Sequence, residues 1–315
     1  MIKMGFDAKK FIEEKSKELR DTIGDKKAIC ATSGGVDSMT CAVMTHKVVG
    51  NKLTVVFLDD GLMRENEPET VTNWLRDNRI NAKLIDVKDD FFASLKGIED
   101  PEEKRKAFRD TFYKALGKAV KESGSSFMIQ GTIAADIVET TGGIKTQHNI
   151  LEQIGIDPEE YGLRILEPLK EIYKPQVREV AKELGLPEEY HQRMPFPGPG
   201  LATRIVGEVT PERVEIVRKA TKIVEEEILK ELKPFQAFAV SLNDRATGMR
   251  EGKRSFGNII VVRSVESKDA MTATVTKIPW EILQRIQERI CEEIPEVTKV
   301  LYDITPKPPS TIEYV

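Results

Sequence analysis

An apolar run, AICAT from Ala28 to Thr32, stops at SGGVDS and resumes as MTCAVM, a stretch of helical character. A buried strand, a glycine-rich loop and a helix in immediate succession leave few folds open. Two glycines let successive backbone N–H groups converge on an anion, and the helix that follows adds the positive end of its dipole. A Walker phosphate loop needs two glycines with four residues between them followed by Lys and then Ser or Thr, and SGGVDS has neither that spacing nor that lysine. The hydroxyls of Ser33 and Ser38 add donors, and a pyrophosphate fits such a nest. Asp37 is the odd member, because a carboxylate repels phosphate unless it caps the helix or holds a cation between the two; magnesium reconciles the charges. A tight strand-to-helix turn capped by Asp or Ser, with no ligand, has the same local signature.

The flanking pattern places this loop in a fold. Phe11, Ile12, Lys15, Leu19 and Ile23 keep a helical period as far as Gly24. Strands are expected at Ala28 to Thr32, Leu53 to Leu58, Lys83 to Val87 and Phe127 to Gln130. Helices are expected in PEEKRKAFRDTFYKALGKAV and, after RILEPL, in KPQVREVAKELGL. Strands alternating with helices predict an α/β fold with a doubly wound parallel sheet, in which ligands bind at the carboxyl ends of the strands. At RMPFPGPGLATR the prolines exclude regular helix and central strand, which divides the chain into domains 1–193 and 194–315. Beyond it, Val214, Val217, Thr221, Val224, Ile228 and Leu232 mark one face of a long helix. FQAFAVSL, NIIVVRSV and VLYDI read as strands and PWEILQRIQERICEEI as a helix, giving a smaller α+β domain.

Bulk properties exclude several function classes. A chain of 315 residues that is 40% hydrophobic and 32% charged is globular and long enough for two cores. A net charge of -4 provides no broad basic surface, so no nucleic-acid partner is expected and an anionic ligand must be gripped locally. Cys30, Cys41 and Cys291 form no C-x-x-C pair and read as buried small hydrophobes. No run approaches the ~18 apolar residues of a membrane span, and the amphipathic amino terminus lacks a signal-peptide core. The expectation is a cytoplasmic protein without a membrane partner.

The longer pattern, strand then S-G-G-x-D-S then helix, resembles the pyrophosphate loop of the N-type ATP pyrophosphatases, which split ATP between its α- and β-phosphates. The resemblance implies ATP as cosubstrate, bound by Ser33, Gly34, Gly35, Val36, Asp37, Ser38 and Met39, with Mg2+ on Asp37. Three further stretches, RMPFPGPGLATRIVGE, KPPSTIEYV and FLDDGLMRENE, are similar to the GMP synthetase family. Shorter echoes such as QGTIAADIVE, IKTQHN and DAMTA follow in the expected order. That resemblance implies adenylylation of xanthosine 5′-monophosphate at the oxygen on C2, followed by displacement of AMP by ammonia. A purine carbonyl oxygen is a poor leaving group until it carries a phosphoryl ester. Asp37 and Lys174 are then the implied catalytic residues, Lys174 supplying the charge that a Walker lysine gives elsewhere; a solvated lysine at a helix start is the competing reading. The implied xanthylate contacts are Arg105, Lys145, Arg193, Arg204, Lys307, Thr311, Ile312 and Glu313. Against them stand a wet helix face for Arg105, a fraying terminus for the tail and a stiff linker for PFPGPG.

The sequence also departs from that family. The common form carries a glutaminase half, and neither Cys30 nor Cys41 sits in a nucleophile elbow, so a separate glutaminase subunit is implied as the source of ammonia. Arg250 in GMREGKRSFG replaces the family's glutamine, and Tyr314-Val315 replaces its usual ending. The second domain resembles the family's dimerisation domain, which makes a homodimer the default. Thr140 to Tyr161 reads as a lid, and His46, His148 and His191 receive no proton-transfer role. NAD synthetase shares the loop but lacks PFPGPG and KPPSTIE. A tRNA-thiolating enzyme would need paired cysteines and a basic face, and a nucleotide sensor would bind ATP without releasing pyrophosphate.

Overall fold

The computed structural model describes residues 6–141, 163–268 and 270–315. Two compact units emerge: Met1–Asp59, Asn66–Val87 and Asp110–Arg193 form the first, and Asp60–Glu65, Lys88–Arg109 and Met194–Val315 the second.

The first unit is a five-stranded, all-parallel sheet. Helix α1 (Ala8–Ile23) starts at Asp7, whose carboxylate accepts from the Lys10 N–H at 3.1 Å, and stops at Gly24, whose φ of 54° excludes most side chains. Then follow β1 (Ala28–Ala31), α2 (Val36–Val49), β2 (Leu53–Asp59), α3 (Glu67–Asp77) and β3 (Ala82–Asp86). The chain then runs through α4 (Lys88–Leu95) and the first half of α5 (Pro101–Ser123), which are counted with the second unit, and returns with the rest of α5, β4 (Phe127–Ile129), α6 (Ala134–Thr141), β5 (Arg164–Leu166), α7 (Lys174–Glu183) and the short α8 (Glu188–His191). The strand order is β3-β2-β1-β4-β5. Ala28, Ile29 and Cys30 are wholly buried, which is why this strand reads as a continuous apolar run and not as an alternation. Ile29, Val56, Leu58 and Met128 of the sheet pack with Leu116, Ala119 and Val120 of α5. Because the chain winds outward from β1 to β3 and returns to β4 beside β1, the crossovers diverge between β1 and β4 and open a crevice at their carboxyl ends.

In the second unit α9 (Pro211–Leu229) begins at Thr210, whose hydroxyl accepts from the Arg213 N–H at 3.3 Å. Strands β6 (Gln236–Arg250) and β7 (Lys253–Glu266) pair antiparallel, β8 (Thr274–Val275) adds antiparallel to β7, and α10 (Trp280–Glu293) leads to β9 (Val297–Tyr302), parallel to β7. Ile216, Ile223 and Ile228 of α9 and Ile282, Ile286 and Ile290 of α10 close over Ala237, Ala239, Ile260 and Val262 on one sheet face. Both strands of the hairpin run well past the expected FQAFAVSL and NIIVVRSV. The added stretch NDRATGMR is rich in strand-poor residues and carries no apolar alternation; its pairing is imposed across the Glu251-Gly252 turn, where φ is 50° and 74°. Arg250 donates to the Cys291 carbonyl in the last turn of α10.

One buried cation gives this unit a titration signature. Lys104 is 2% exposed and its ammonium donates to the Ile205 carbonyl at 2.8 Å. Burial, reinforced by Arg213 and opposed by Glu99, lowers its pKa to about 8 from the ordinary 10.5. The folded chain therefore binds fewer protons than the unfolded one between those values, so this lysine's penalty is fully present below pH 8 and is relieved as pH rises towards 10.5. Urea unfolding of the parent and of Lys104→Met at pH 7.5 and 9.5 should show the parent gaining on the variant at the higher pH. A difference independent of pH would place a normal lysine there.

Candidate functional site

The SGGVDS loop leaves the carboxyl end of β1, and QGT (Gln130 to Thr132) leaves that of β4 beside it. Ser33, Gly35, Asp37, Ser38, Gln130, Gly131, Thr132 and Asp136 line the cleft between them. Gly34 has φ +76°, and a Cβ there would lie 2.8 Å from Val71 Cγ2, so both backbone and packing require glycine. Its N–H donates to Thr32 Oγ1 at 3.1 Å, which withdraws it from the set of free donors. Gly35 differs: its φ is -67° and a Cβ would meet only Ser33 Oγ, at 3.4 Å, so the space above it is reserved by no protein atom. Gly35 is also the cap of α2 and has no side chain with which to cap it. The first-turn amides of Val36, Asp37 and Ser38 thus face the cleft end of the helix with no intrahelical acceptor.

The side chains refine the expectation. Ser38 Oγ lies 3.1 Å from both Thr32 Oγ1 and the Gly35 carbonyl, so this hydroxyl ties the loop together. Met39, the last of the expected ATP contacts, is fully buried, and its N–H is bonded to the Gly35 carbonyl at 3.0 Å in the first turn of α2. Gly131 was missed by sequence reasoning. A Cβ on it would come within 3.0 Å of the Ser38 N and 3.1 Å of the Asp37 carbonyl carbon, so its absence lets the β4 loop close on the start of α2. Its only sequence signal is a glycine directly after a strand. Thr132 Oγ1 donates to Glu167 at 2.6 Å, and Asp136 accepts from the Ile133 N–H at 3.0 Å.

Asp37 and Lys174 meet: the ammonium at the first residue of α7 lies 2.6 Å from Asp37 Oδ2. Burial pushes the Asp37 pKa above the usual carboxylate range, with Asp136 adding to the shift and Lys174 and Arg178 opposing it. Its other oxygen, Oδ1, is buried without a hydrogen-bond partner. That unused oxygen suits a hard cation, which would take its remaining ligands from phosphate and water; among the described residues no cluster of three or more His, Cys, Asp or Glu offers a protein cage for a metal. Burial also raises the Cys30 thiol to about 12 and lifts Cys41 well above its ordinary range, so neither is a thiolate nucleophile at neutral pH.

Arg193, in the same unit, lies under Gly34, its guanidinium 2.5 Å from the buried Glu67 carboxylate. The other described candidates for the acceptor nucleotide belong to the second unit. Arg204 is 1% exposed and grips Glu313 through two bonds of 3.1 Å, while Gln236 donates to the same carboxylate at 2.9 Å. The tail is held by further contacts. Ile312 packs with Phe238, Val240, Val261 and Val265, the Thr311 carbonyl accepts from Arg263 at 2.9 Å, and Lys307 donates to the Ala270 carbonyl at 2.8 Å. Arg105 stands apart on the exposed side of α5, paired with Glu102 one turn away. Lys145, His148 and the expected lid beyond Thr141 lie outside the described residues.

A family model described as "PP-loop domain" matches residues 8–187, and one described as "GMP synthase C terminal domain" matches residues 221–314. A protein of Methanopyrus kandleri, named as a subunit of glutamine-hydrolyzing GMP synthase, is 51% identical over 98% of this chain and 99% of its own. The chain belongs to this family of GMP synthase subunits. Members from Pyrococcus furiosus and Methanocaldococcus jannaschii are 53% and 48% identical, over 97% and 98% of this chain and 97% and 99% of theirs. The expected α/β class, a PP-loop parallel sheet followed by a smaller second domain, is the one this family model and the fold describe. No helix among the described residues is long and apolar enough to cross a membrane.

Proposed function

We propose that the chain is the synthetase subunit of a two-subunit GMP synthase acting in the cytoplasm. The carrying observation is a lysine-free phosphate cradle at the switch point of a PP-loop sheet, in a chain whose relatives are named for GMP synthesis. In this reading the amides of Val36, Asp37 and Ser38 hold the β- and γ-phosphates of ATP, and Lys174 adds a point charge. The xanthylate oxygen on C2 forms a bond to the α-phosphorus as the bridge to the β-phosphate breaks, and pyrophosphate leaves with that electron pair. Ammonia then adds at C2, loses a proton and expels AMP. Magnesium, held by Asp37, would neutralise charge on the departing pyrophosphate.

Lys307, Thr311, Ile312 and Glu313 form the proposed xanthylate site with Arg204 behind them. Arg105, Lys145 and Arg193 are the remaining proposed xanthylate contacts. The words "glutamine-hydrolyzing" and "subunit" in the relatives' names support a separate glutaminase as ammonia source. A homodimer formed through the second unit accords with apolar side chains left bare on it, Met249 and Phe256 being 67% and 60% exposed.

Exchange of labelled pyrophosphate into ATP, without ammonia, tests the reading. Label should enter ATP only when xanthylate is present, and deaminated NAD should not replace it. Formation of ADP and orthophosphate, or exchange indifferent to xanthylate, would overturn the proposal.

A further inference from the structure

The proline-rich stretch from Met194 to Arg204 is fastened within the second unit. Arg64 donates to the Met194 carbonyl at 3.5 Å, Gln236 to the Pro195 carbonyl at 2.9 Å, and the Leu201 N–H to the Leu62 carbonyl at 2.8 Å. Gly200, at φ +59°, permits the last approach, since a Cβ would lie 2.4 Å from that carbonyl oxygen. Within this clamp Phe196 is only half-buried. The Arg64 guanidinium lies over its ring at 4.3 Å from the centroid and that of Arg204 at 4.8 Å; Arg204 also lies over Phe238, at 4.1 Å.

Each cation has an anion at its other side. Arg64 pairs with Glu225 of α9 at 3.2 Å and Arg204 with Glu313 of the tail at 3.1 Å. The result is a continuous ladder, Glu225, Arg64, Phe196, Arg204, Glu313, from α9 to the carboxy-terminal strap. Arg204 is almost wholly buried and its Nη1 has no hydrogen-bond partner, so the aromatic faces carry part of what water would otherwise supply to this charge. A leucine at 196 could fill much of the volume but has no quadrupole with which to hold either guanidinium.

We propose that Phe196 is a positioning residue: acting through Arg204, it sets the carboxylate of Glu313 and orders the strap Thr311–Val315 for binding of the acceptor nucleotide. This deepens the proposed reading of the tail as the xanthylate site and rests on it for its kinetic part.

The test compares Phe196→Leu with Phe196→Trp in the full chain, given ATP, magnesium, xanthylate and ammonium. Phe196→Leu should raise the KM for xanthylate about tenfold, leave the KM for ATP and kcat within about twofold, and speed amide exchange in residues 311–315; Phe196→Trp, which keeps a π-face, should hold both the xanthylate KM and the strap exchange near the parent values. Unchanged exchange in the strap, equal changes in both KM values, or leucine behaving as tryptophan would overturn the proposal. Faster strap exchange with an unchanged xanthylate KM would support the ladder and instead defeat the reading of the strap as the xanthylate site.

Discussion

Lys174→Ala should lower xanthylate-dependent pyrophosphate exchange by roughly two to three orders of magnitude, the loss typical of removing one preorganised electrostatic donor from a transition state. The SGGVDS loop contains no lysine, and the Gly34 amide is already spent on Thr32, so the cradle's positive field rests on a few first-turn amides and the ammonium brought in by α7. The same ammonium offsets the burial that raises the Asp37 pKa; without it Asp37 would hold a proton more readily and grip a cation less well. Loss of the lysine should therefore reduce the rate and raise the magnesium requirement together. Lys174→Arg should recover only part of both, because a planar fork does not replace a compact point charge 2.6 Å from the carboxylate. Exchange rates against magnesium concentration decide it: a loss under about fivefold, or one that magnesium does not modulate, removes Lys174 from the site.

Glu313→Ala should reduce the free energy of unfolding by about 3–5 kcal/mol, the usual consequence of stranding one member of a buried ion pair. Arg204 is 1% exposed and Glu313 accepts from both its Nε and its Nη2, so truncation leaves a guanidinium in the interior with aromatic faces and no anion. Gln236 and Thr203 lose a partner at the same time. The double variant Arg204→Met with Glu313→Ala should regain most of the loss, since it removes the stranded charge instead of exposing it. Urea titration of the three proteins is the measurement. A single variant within about 1 kcal/mol of the parent would mean that water reaches Arg204 and that the pair contributes like a surface bridge.

A candidate phosphate loop was readable from Ser33 to Ser38 because its features lie in consecutive residues: where the strand ends, which residues are glycine, and what starts the helix. Lys174 is named from the sequence as well, yet its meeting with Asp37 depends on α2 and α7 starting at the same edge of the unit. Gly131 escaped notice because its constraint comes from atoms of Asp37 and Ser38 on another crossover. The arm of the β6–β7 hairpin escaped it too, since NDRATGMR owes its extended form to pairing partners and not to its own preferences. Arg204 and Glu313 were both named as ligand contacts; the fold bonds them to each other.

By itself the sequence determined the parallel class of the first sheet and the strand–glycine loop–helix succession on which the proposed anion site rests, because strand burial, helical period and glycine content act over a few residues. Tertiary structure alone decided which charges neutralise each other and how firmly the tail is held: Asp37 and Lys174 are 137 positions apart and Arg204 and Glu313 are 109. A pairing at such separation is set by how the sheets close, and that closure sums many weak contacts of which no short stretch carries a record.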